Sequence, residues 1–498
     1  MKTLRPISIA LIAPIASLLV SPAQAVAPIV KLGSTTDHPS ATIDVSGGHF
    51  GANEAVDIYF DATDTLLVTT NAKGAFVKHK LKVPVFATPG QHWITAIGRK
   101  TGDAAQKAFN VSTPWTEFGF TAAGHRTNPY ENVISASTAN QLDVSWVANM
   151  PGSNFYSSPA VLNGLVFVGG GSDDMLHAYD ATNGTERWSA TTGNLIASSP
   201  AVANGLVYVA SGDGNLYAFN AATGAVAWSA PTGSTALSSP TIVDGIVYVG
   251  SGANLLAFNA LTGAPQWTAA VSGQINYSSP AVANGLVFIA DGFFGAGNLY
   301  AFRTSDGTLA WSAPTGGGIF SSPAVANGTV YIASGDGKMY AFDAKTGVAR
   351  WSKLFDQGGG EHASPAIANG VVYCASSDDH LVAFNATTGA IVWNITTGFG
   401  TASSSPAVAN GVVYVGADTG KLLAYNATSG AFLWGASVTS QTSASPTVSD
   451  GVVYMPGSNS RLYAFALNGG NNAVYKNRNT APPSFASLHR DPKLTPEI

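Results

Sequence analysis

The sequence predicts an all-β protein, in which an eight-bladed β-propeller of four-stranded blades follows a small β-sandwich. One unit recurs eight times at intervals of 40 to 43 residues, and a fixed period of this length indicates a repeat architecture. The residues before the repeats lack the unit and alternate short β-rich runs with turns. The prolines of the recurring Ser-Pro element are Pro159, Pro200, Pro240, Pro280, Pro323, Pro365, Pro406 and Pro446.

The unit reads as four short antiparallel strands, which residues 321–351 illustrate. The Ser-Pro element begins the first strand, where the missing N–H of proline is tolerated. Asn327-Gly328 predicts a two-residue hairpin, because both positions require a positive φ. Val330–Ala333 and Met339–Phe342 are the second and third strands, and the fourth ends on Trp351. Four strands per unit are typical of a propeller blade, whereas a β-solenoid rung is about half as long.

A Trp ends each fourth strand, and we assign these residues a structural role. A buried Trp covers about 150–250 Å², and its truncation to Ala typically costs about 3–5 kcal/mol. One Trp per blade is therefore expected to hold adjacent blades together. The eight residues are Trp146, Trp188, Trp228, Trp267, Trp311, Trp351, Trp393 and Trp434.

Residues 1–25 have the pattern of a secretory signal peptide. Lys2 and Arg5 precede an apolar stretch over residues 7–20, and Ala23-Gln24-Ala25 forms a small-x-small cleavage site. The apolar stretch is shorter than the roughly 20 residues of a spanning helix. We therefore expect an exported protein that is periplasmic, on the cell surface or extracellular, and that does not span a membrane.

Composition and charge exclude several classes of function. A net charge of -5 and a pI near 6.0 give no basic surface for nucleic acid. Charged residues make up only 10% of the chain, against about 25% in average globular proteins. The single cysteine, Cys374, excludes an internal disulfide framework, a four-cysteine zinc site and a Cys-x-x-Cys-His haem attachment.

Residues 26–112 are predicted to form the β-sandwich. Short strand-like runs every 8–12 residues or so are typical of this architecture. Two segments, Val45–Gly51 and Ala87–His92, resemble parts of the Ig-like modules of bacterial surface proteins. The resemblance implies a spacer or adhesive unit, and the segment contains no recognisable chemistry.

The remaining boundaries follow from the counting of strands. Residues 113–140 are predicted as a linker, residues 141–470 as the propeller and residues 471–498 as a C-terminal tail. Gln141–Trp146 resembles a fourth strand without its other three, whereas the last unit has three strands and no closing Trp. Joining these two ends would complete the eighth blade and remove the open edge of the ring.

Candidate functional residues lie in the loops between blades and in the hairpins between second and third strands. These loops vary from blade to blade on one face, and variable loops on a rigid scaffold commonly carry function. We expect Tyr277, Phe320, Phe293 and Phe294 to form a partner-binding cluster of aromatic side chains. Glu361, beside His362 in a glycine-rich loop, is the candidate metal ligand.

The motif Tyr-Ala-Phe-Asp/Asn-Ala-x-Thr-Gly-x-x-x-Trp resembles the repeat of the pyrroloquinoline-quinone-type propellers. Trp115, Phe118 and His125-Arg126-Thr127 also resemble the segment that precedes the first blade in that family. The family includes quinoprotein dehydrogenases, which hold the quinone and calcium in the central funnel and oxidise alcohols or sugars. It also includes cofactor-free members, such as the propeller lipoprotein of the bacterial outer-membrane assembly machine, which binds partner proteins.

Three departures from the dehydrogenase pattern favour the cofactor-free class. One cysteine cannot form a vicinal disulfide, every Trp is already assigned elsewhere, and the insertions between blades are short. We therefore predict a non-catalytic scaffold that binds a protein or a cell-surface polymer, without a cofactor. The alternative is a dehydrogenase that depends on pyrroloquinoline quinone (PQQ) and calcium, with Glu361 and acidic hairpin residues as calcium ligands.

Overall fold

The structure is a computed structural model that describes residues 26–152, 156–235, 237–275, 277–292, 295–357, 363–398, 404–438, 443–471 and 481–495. The predicted signal peptide lies outside these residues. Within them, strands dominate, and the helical segments are three short 3₁₀ turns: Ala139–Gln141, Asn468–Gly470 and Phe485–Ser487. The all-β prediction is confirmed. No helix in the described part of the chain has the length and apolar character needed to cross a membrane.

The first unit consists of two sheets around one apolar core, to which Val45, Ile58 and Phe109 contribute fully buried side chains. A three-stranded sheet has the order Ile29–Leu32, Thr42–Gly48 and Phe76–Lys82. A five-stranded sheet has the order Thr36–Asp37, Ala104–Val111, Gly90–Gly98, Ala55–Phe60 and Thr63–Thr69. These sheets form a small β-sandwich, and its Ig-like character stays a prediction.

Eight further sheets follow, and each is an antiparallel blade. We number the blades 1 to 8 in the order of their first strands. The first strands are Ala160–Leu162, Ala201–Ala203, Thr241–Val243, Ala281–Ala283, Ala324–Ala326, Ala366–Ala368, Ala407–Ala409 and Thr447–Ser449. The second strands are Leu165–Gly169, Leu206–Ala210, Leu286–Ala290, Thr329–Ser334, Val371–Ala375, Val412–Ala417 and Val452–Gly457.

The outer half of each blade is formed by the third and fourth strands. The third strands are Met175–Asp180, Asn215–Asn220, Asn298–Arg303, Lys338–Asp343, His380–Asn385, Lys421–Asn426 and Arg461–Leu467. The fourth strands are Glu186–Thr191, Val226–Pro231, Pro265–Ile275, Leu309–Pro314, Ala349–Leu354, Ile391–Thr396 and Phe432–Ser437. In blade 3 the second and third strands form one long strand, Ile246–Asn259.

The turn between the first and second strands is the two-residue hairpin that the sequence predicts. In blade 5, Asn327 and Gly328 have φ values of 49° and 70°. Both lie in the left-handed region, which an Asn-Gly pair adopts at low cost. The corresponding Asn-Gly or Asp-Gly pair of every other blade also has two positive φ values.

The eighth blade takes its fourth strand from the beginning of the propeller. Leu142–Asn149 pairs antiparallel with Arg461–Leu467, so that this blade unites the two ends of the repeat region. The predicted closure of the ring is confirmed. The pairing covers the edge that Arg461–Leu467 would otherwise expose at the seam.

Seven of the eight closing Trp residues contact the turn between the third and fourth strands of the next blade. The indole N–H of Trp311 donates to the carbonyl oxygen of Ala344 at 3.0 Å, and its ring lies against Gly347. Trp434 differs, since its ring packs edge-on against Phe465 with centroids 5.1 Å apart. The same indole bond joins Trp146 to Ala181, Trp188 to Ala221, Trp228 to Ala260, Trp267 to Thr304, Trp351 to Ala386 and Trp393 to Ala427.

Residues 113–131, which the sequence predicts as part of a linker, run through the inside of the ring. We call this segment the plug. Its backbone or side chains bond to the first strand of each blade, at Val161, Val202, Ile242, Val282, Val325, Ile367, Val408 and Val448. Thr127–Asn128 even adds a parallel strand to Ala407–Ala409. The plug therefore supplies hydrogen-bond partners to inner edges that would otherwise be open.

The two ends of the chain also contact each other. Arg490 of the tail lies 3.2 Å from the Asp57 carboxylate in the sandwich, and His489 forms a backbone bridge with Thr63. The sandwich contacts the plug as well, because the His38 ring stacks on Tyr130 with centroids 3.7 Å apart. The tail thus lies on the first unit.

Glu117 of the plug is buried beside the first strand of blade 3. One carboxylate oxygen accepts the backbone N–H of Ile242 at 3.3 Å, and only 8% of the residue is exposed. Burial raises the pKa of Glu117 to about 7, although the bond from Ile242 acts in the opposite direction. The inside of the ring therefore contains a carboxyl group that favours its neutral form.

The contact between Trp and glycine can be tested by two matched substitutions. A Cβ on Gly347 would lie 2.6 Å from the Trp311 ring, whereas a Cβ on Gly370 would meet no atom within 4 Å. Both glycines have φ above 70°, so both changes to Ala carry a similar backbone cost of about 1–2 kcal/mol. We expect Gly347→Ala to lower the free energy of unfolding by a further 1–3 kcal/mol or so, through overpacking. Equal losses in denaturant titrations would contradict this contact.

The buried carboxyl group predicts a specific pH dependence of stability. Between pH 4.5 and about 7 the native state keeps the Glu117 proton while the unfolded state loses it, so the free energy of unfolding falls as pH rises. The loss amounts to about 3 kcal/mol and is complete above about pH 7. Glu117→Gln should remove this loss. The free energy of unfolding of the variant, relative to that of the native protein, should therefore increase between pH 5 and 8. Exposed Asp143→Asn is the control, and a parallel pH profile for Glu117→Gln would refute the assignment.

Candidate functional site

Eight serines, one from each blade, form a closed ring of hydrogen bonds around the propeller axis. The backbone N–H of each serine donates to the Oγ of the serine in the next blade, at 2.8–2.9 Å. The last bond, from Ser445 to Ser158, closes the circle. We call these residues the ring serines: Ser158, Ser199, Ser239, Ser279, Ser322, Ser364, Ser405 and Ser445.

The local sequence explains why these serines face one another. Each ring serine precedes the proline of the repeat, and a residue before proline favours extended backbone. In most blades the preceding residue is also a serine, whose Oγ accepts an N–H from the second strand, as Ser198 does from Ala210 at 2.9 Å. Blade 6 has Ala363 there instead, and the Sγ of Cys374 lies 3.7 Å from its carbonyl oxygen. Burial raises the pKa of the Cys374 thiol, so this cysteine is a packing residue.

The ring serines surround a narrow cavity on the face of the inter-blade loops, which we call the cup. Phe118 of the plug lines it, so the plug closes the channel below the ring. Its volume is about 70 Å³. In six of the blades, the described part of the rim is the residue two positions before the ring serine. The described rim residues are Tyr156, Ala197, Leu237, Tyr277, Phe320 and Ser443.

Three aromatic side chains of the rim converge above the cup. The rings of Tyr156 and Tyr277 have centroids 5.5 Å apart, although their blades are three positions apart. The Phe320 ring lies 6.4 Å from that of Tyr277. Tyr156 is 47% exposed, and burial, together with the proximity of Tyr156, raises the pKa of Tyr277. Two predicted partner-binding residues are thus neighbours, and alignment of the rim position among the repeats would have added Tyr156.

The structure does not describe the other predicted site residues. Phe293, Phe294 and Glu361 lie outside the described residues. Their assignments as partner-binding and metal-binding residues stay predictions.

Acidic residues of the hairpins, such as Asp213 and Asp336, accept hydrogen bonds from other residues of the propeller. Asp213 accepts the Tyr217 hydroxyl at 2.6 Å and the Gly193 N–H at 2.9 Å. Burial opposes ionisation there, but these and further hydrogen bonds lower the pKa of Asp213 overall. Asp336 accepts the Tyr340 hydroxyl at 2.6 Å in the same way. These carboxylates therefore fasten one hairpin to its neighbouring loop.

Arg126 lies below the cup and is almost completely buried, with 1% exposure. Its guanidinium donates to the carbonyl oxygens of Pro406 at 2.9 Å and Phe118 at 2.7 Å, with longer bonds to Ser405 and Pro446. It also stacks on the Phe118 ring, 4.4 Å from its centroid. Burial lowers the pKa of Arg126 to about 9. Among the described residues, no carboxylate lies within ion-pair distance of it.

The described lining of the cup does not fit PQQ with calcium. A small-molecule pocket typically measures about 300–1,000 Å³, several times the 70 Å³ of the cup, and PQQ is a tricyclic molecule with three carboxylates. Calcium takes about six to eight oxygen ligands, mostly carboxylates and carbonyls. The described lining of the cup has no carboxylate, and the described residues contain no cluster of three His, Cys, Asp or Glu suited to a metal ion.

The structural comparisons find both classes of propeller. Quinohemoprotein alcohol dehydrogenase from Comamonas testosteroni is similar with a TM-score of 0.62 and 16% identity, over 72% of this chain and 81% of that one. BamB from Moraxella catarrhalis is similar with a TM-score of 0.55 and 19% identity, over 65% of this chain and 99% of that one. A europium-containing methanol dehydrogenase is similar with a TM-score of 0.60 and 15% identity, over 71% of this chain and 98% of that one. At these identities the similarity shows the fold. Among curated proteins, none matches the sequence.

The family comparison is more specific than the fold. The model described as outer membrane protein assembly factor BamB matches residues 131–291, 257–405 and 397–491. The three matches overlap, cover most of the chain and include all eight blades. Together with the serine-proline repeat and its closing Trp, they confirm the resemblance seen in the repeat motif. The chain therefore belongs to the propeller family of the outer membrane protein assembly factor BamB.

Proposed function

We propose that this chain is an exported, non-catalytic propeller that binds a protein partner through the aromatic rim of the cup. The convergence of Tyr156, Tyr277 and Phe320 above the closed channel is the observation that carries the proposal. Clustered aromatic side chains are typical anchors of protein interfaces. Membership of the assembly-factor family supports a scaffold role. The signal-peptide pattern of residues 1–25 supports export.

The rim is well suited to binding because its support is rigid. Each rim residue is two positions from a ring serine, whose backbone N–H bonds to one neighbouring blade and whose Oγ bonds to the other. A pre-organised anchor loses little conformational freedom when a partner binds. The rim is also asymmetric, since Ala197 and Ser443 occupy positions where Tyr277 and Phe320 stand in other blades. An asymmetric rim gives a bound partner a defined orientation.

A quinone-dependent dehydrogenase is the second candidate, and the fold similarity to alcohol and methanol dehydrogenases favours it. The small cup and the absence of carboxylates from its described lining oppose it. Under this candidate, Glu361 would provide a calcium ligand. We therefore rank it below the protein-binding scaffold.

Partner binding should depend on the rim and tolerate equal changes elsewhere. Tyr277→Ser combined with Phe320→Ser should reduce capture of a partner from an envelope extract of the source cell by about tenfold or more, since interface anchors contribute about 2 kcal/mol each. Phe432→Ser is the matched control, because Phe432 is 61% exposed on a fourth strand far from the rim. The melting temperature of each variant should be measured beside the pull-down.

The outcomes separate the proposal from its alternatives. Loss of capture with an unchanged melting temperature supports the rim as a binding surface. Unchanged capture by the rim variant refutes it. Loss of a bound cell-surface polymer, with protein capture intact, would replace the protein partner by a polymer.

Quinone binding should be weak or absent. Purified protein titrated with PQQ in the presence of calcium should give no saturable change in absorbance. It should also reduce no dye when alcohols or aldoses are added. Stoichiometric binding with substrate-dependent dye reduction would establish the dehydrogenase instead. Glu361→Ala would then test the calcium assignment.

A further inference from the structure

The ring serines have donor capacity that the fold does not use. Each Oγ accepts one backbone N–H, and for none of the eight does a described residue accept the hydroxyl proton. Each of these residues is at most 7% exposed. A buried hydroxyl without an acceptor carries a desolvation cost, so such a set requires an acceptor on or near the axis.

These donors converge on one small space. Seven of the ring serines line the cup, and the same cavity is bounded by Phe118 and the aromatic rim. Its described polar lining consists of serine hydroxyls and the rim tyrosines, with no carboxylate. A set of donors without a competing anion favours a ligand that presents several acceptor oxygens.

A buried positive charge lies next to this space. The Arg126 guanidinium stacks on the lower side of Phe118, and Arg126 borders a smaller cavity with Ser279, Ser322 and Ser364. Its side-chain hydrogen bonds within the described residues go to carbonyl oxygens, so its charge has no anionic partner there. The plug carboxylates lie elsewhere, since Glu117 bonds to blade 3 and Glu131 accepts the Gly451 N–H, whereas Arg126 bonds to carbonyl oxygens before the first strands of blades 7 and 8. A negative group in the cup would offset this isolated charge.

We propose that the cup binds a small oxyanion, such as a carboxylate or phosphate group, through the ring serines above Arg126. Several hydroxyl donors can share the oxygens of one such group, and the field of Arg126 favours its negative charge. The volume of about 70 Å³ admits a group of this size and no larger ring system. The site stands on this geometry alone and does not require the partner proposed above.

Calorimetric titration of the purified chain, without any partner, tests the site. Sodium phosphate and sodium acetate are titrated at constant ionic strength, with sodium chloride as the reference. We expect saturable binding of one oxyanion per chain. Ser239→Ala with Ser364→Ala should weaken it by about tenfold or more, because each removes a hydrogen bond to a charged group. Ser312→Ala with Ser352→Ala, at exposed positions on fourth strands, is the matched control.

A second variant keeps the test decisive if the loss of ring bonds unfolds the protein. Ala197→Asp adds a carboxylate to the cup lining while leaving all eight ring serines in place. It should abolish oxyanion binding, whereas Ala349→Asp on an exposed fourth strand should not. No saturable binding by the native chain overturns the proposal. Equal binding by the cup variants and their controls also overturns it, since it indicates an adventitious ion only.

The source of the oxyanion is resolved by adding two short peptides, one with a free C-terminal carboxylate and one amidated. Selective binding of the free carboxylate assigns the cup to the end of a polypeptide. Binding of phosphate or acetate without either peptide assigns it to a free ion. Because no partner protein is present, failure of this site leaves the pull-down result on the rim unaffected.

Discussion

The hydrogen bond from one ring serine to the next is the constraint on which the propeller depends. It sets the spacing of neighbouring blades at the axis, where the first strands have only three residues. Farther from the axis, the indoles of seven closing Trp residues set the same spacing by their bonds to the next blade. A blade fixed at both ends can neither slide nor rotate relative to its neighbour. The fixed blades therefore hold the loops at the axis in defined positions, and the rim is pre-organised for the same reason.

The first strands form the inner edges of the blades, and the plug supplies the hydrogen-bond partners that these edges need. The first strands are short edge strands, whose backbone groups need partners inside a channel with little room for water. A non-repeating segment can satisfy eight similar edges only by changing its contact from blade to blade. It uses backbone in most blades, the Glu117 carboxylate in blade 3 and the Asn128 amide in blade 8. The buried ionisable groups of the plug follow from this use of polar side chains.

The sequence predicted the features that depend on interactions between neighbouring residues. The strands of each unit and the positive φ of Asn327-Gly328 follow from side-chain patterns within a few residues. Blade 3 departs from the pattern because no Asp-Gly turn separates its middle strands, and Ile246–Asn259 continues through Gly252. The plug resembled a linker, since its partners lie up to 337 residues away in the sequence. The ring serines went unrecognised because a serine before proline is also ordinary turn chemistry.

The seam in blade 8 has a consequence for how the chain reaches its native state. Leu142–Asn149 leaves the ribosome early, yet its partner Arg461–Leu467 comes more than 300 residues later. Closing a loop of that length costs about 5 kcal/mol of chain entropy before any contact is gained. Folding that depends on such distant pairings is slow. The early strand must wait, unpaired, for nearly the whole chain, so the nascent protein needs protection of that edge until synthesis is complete.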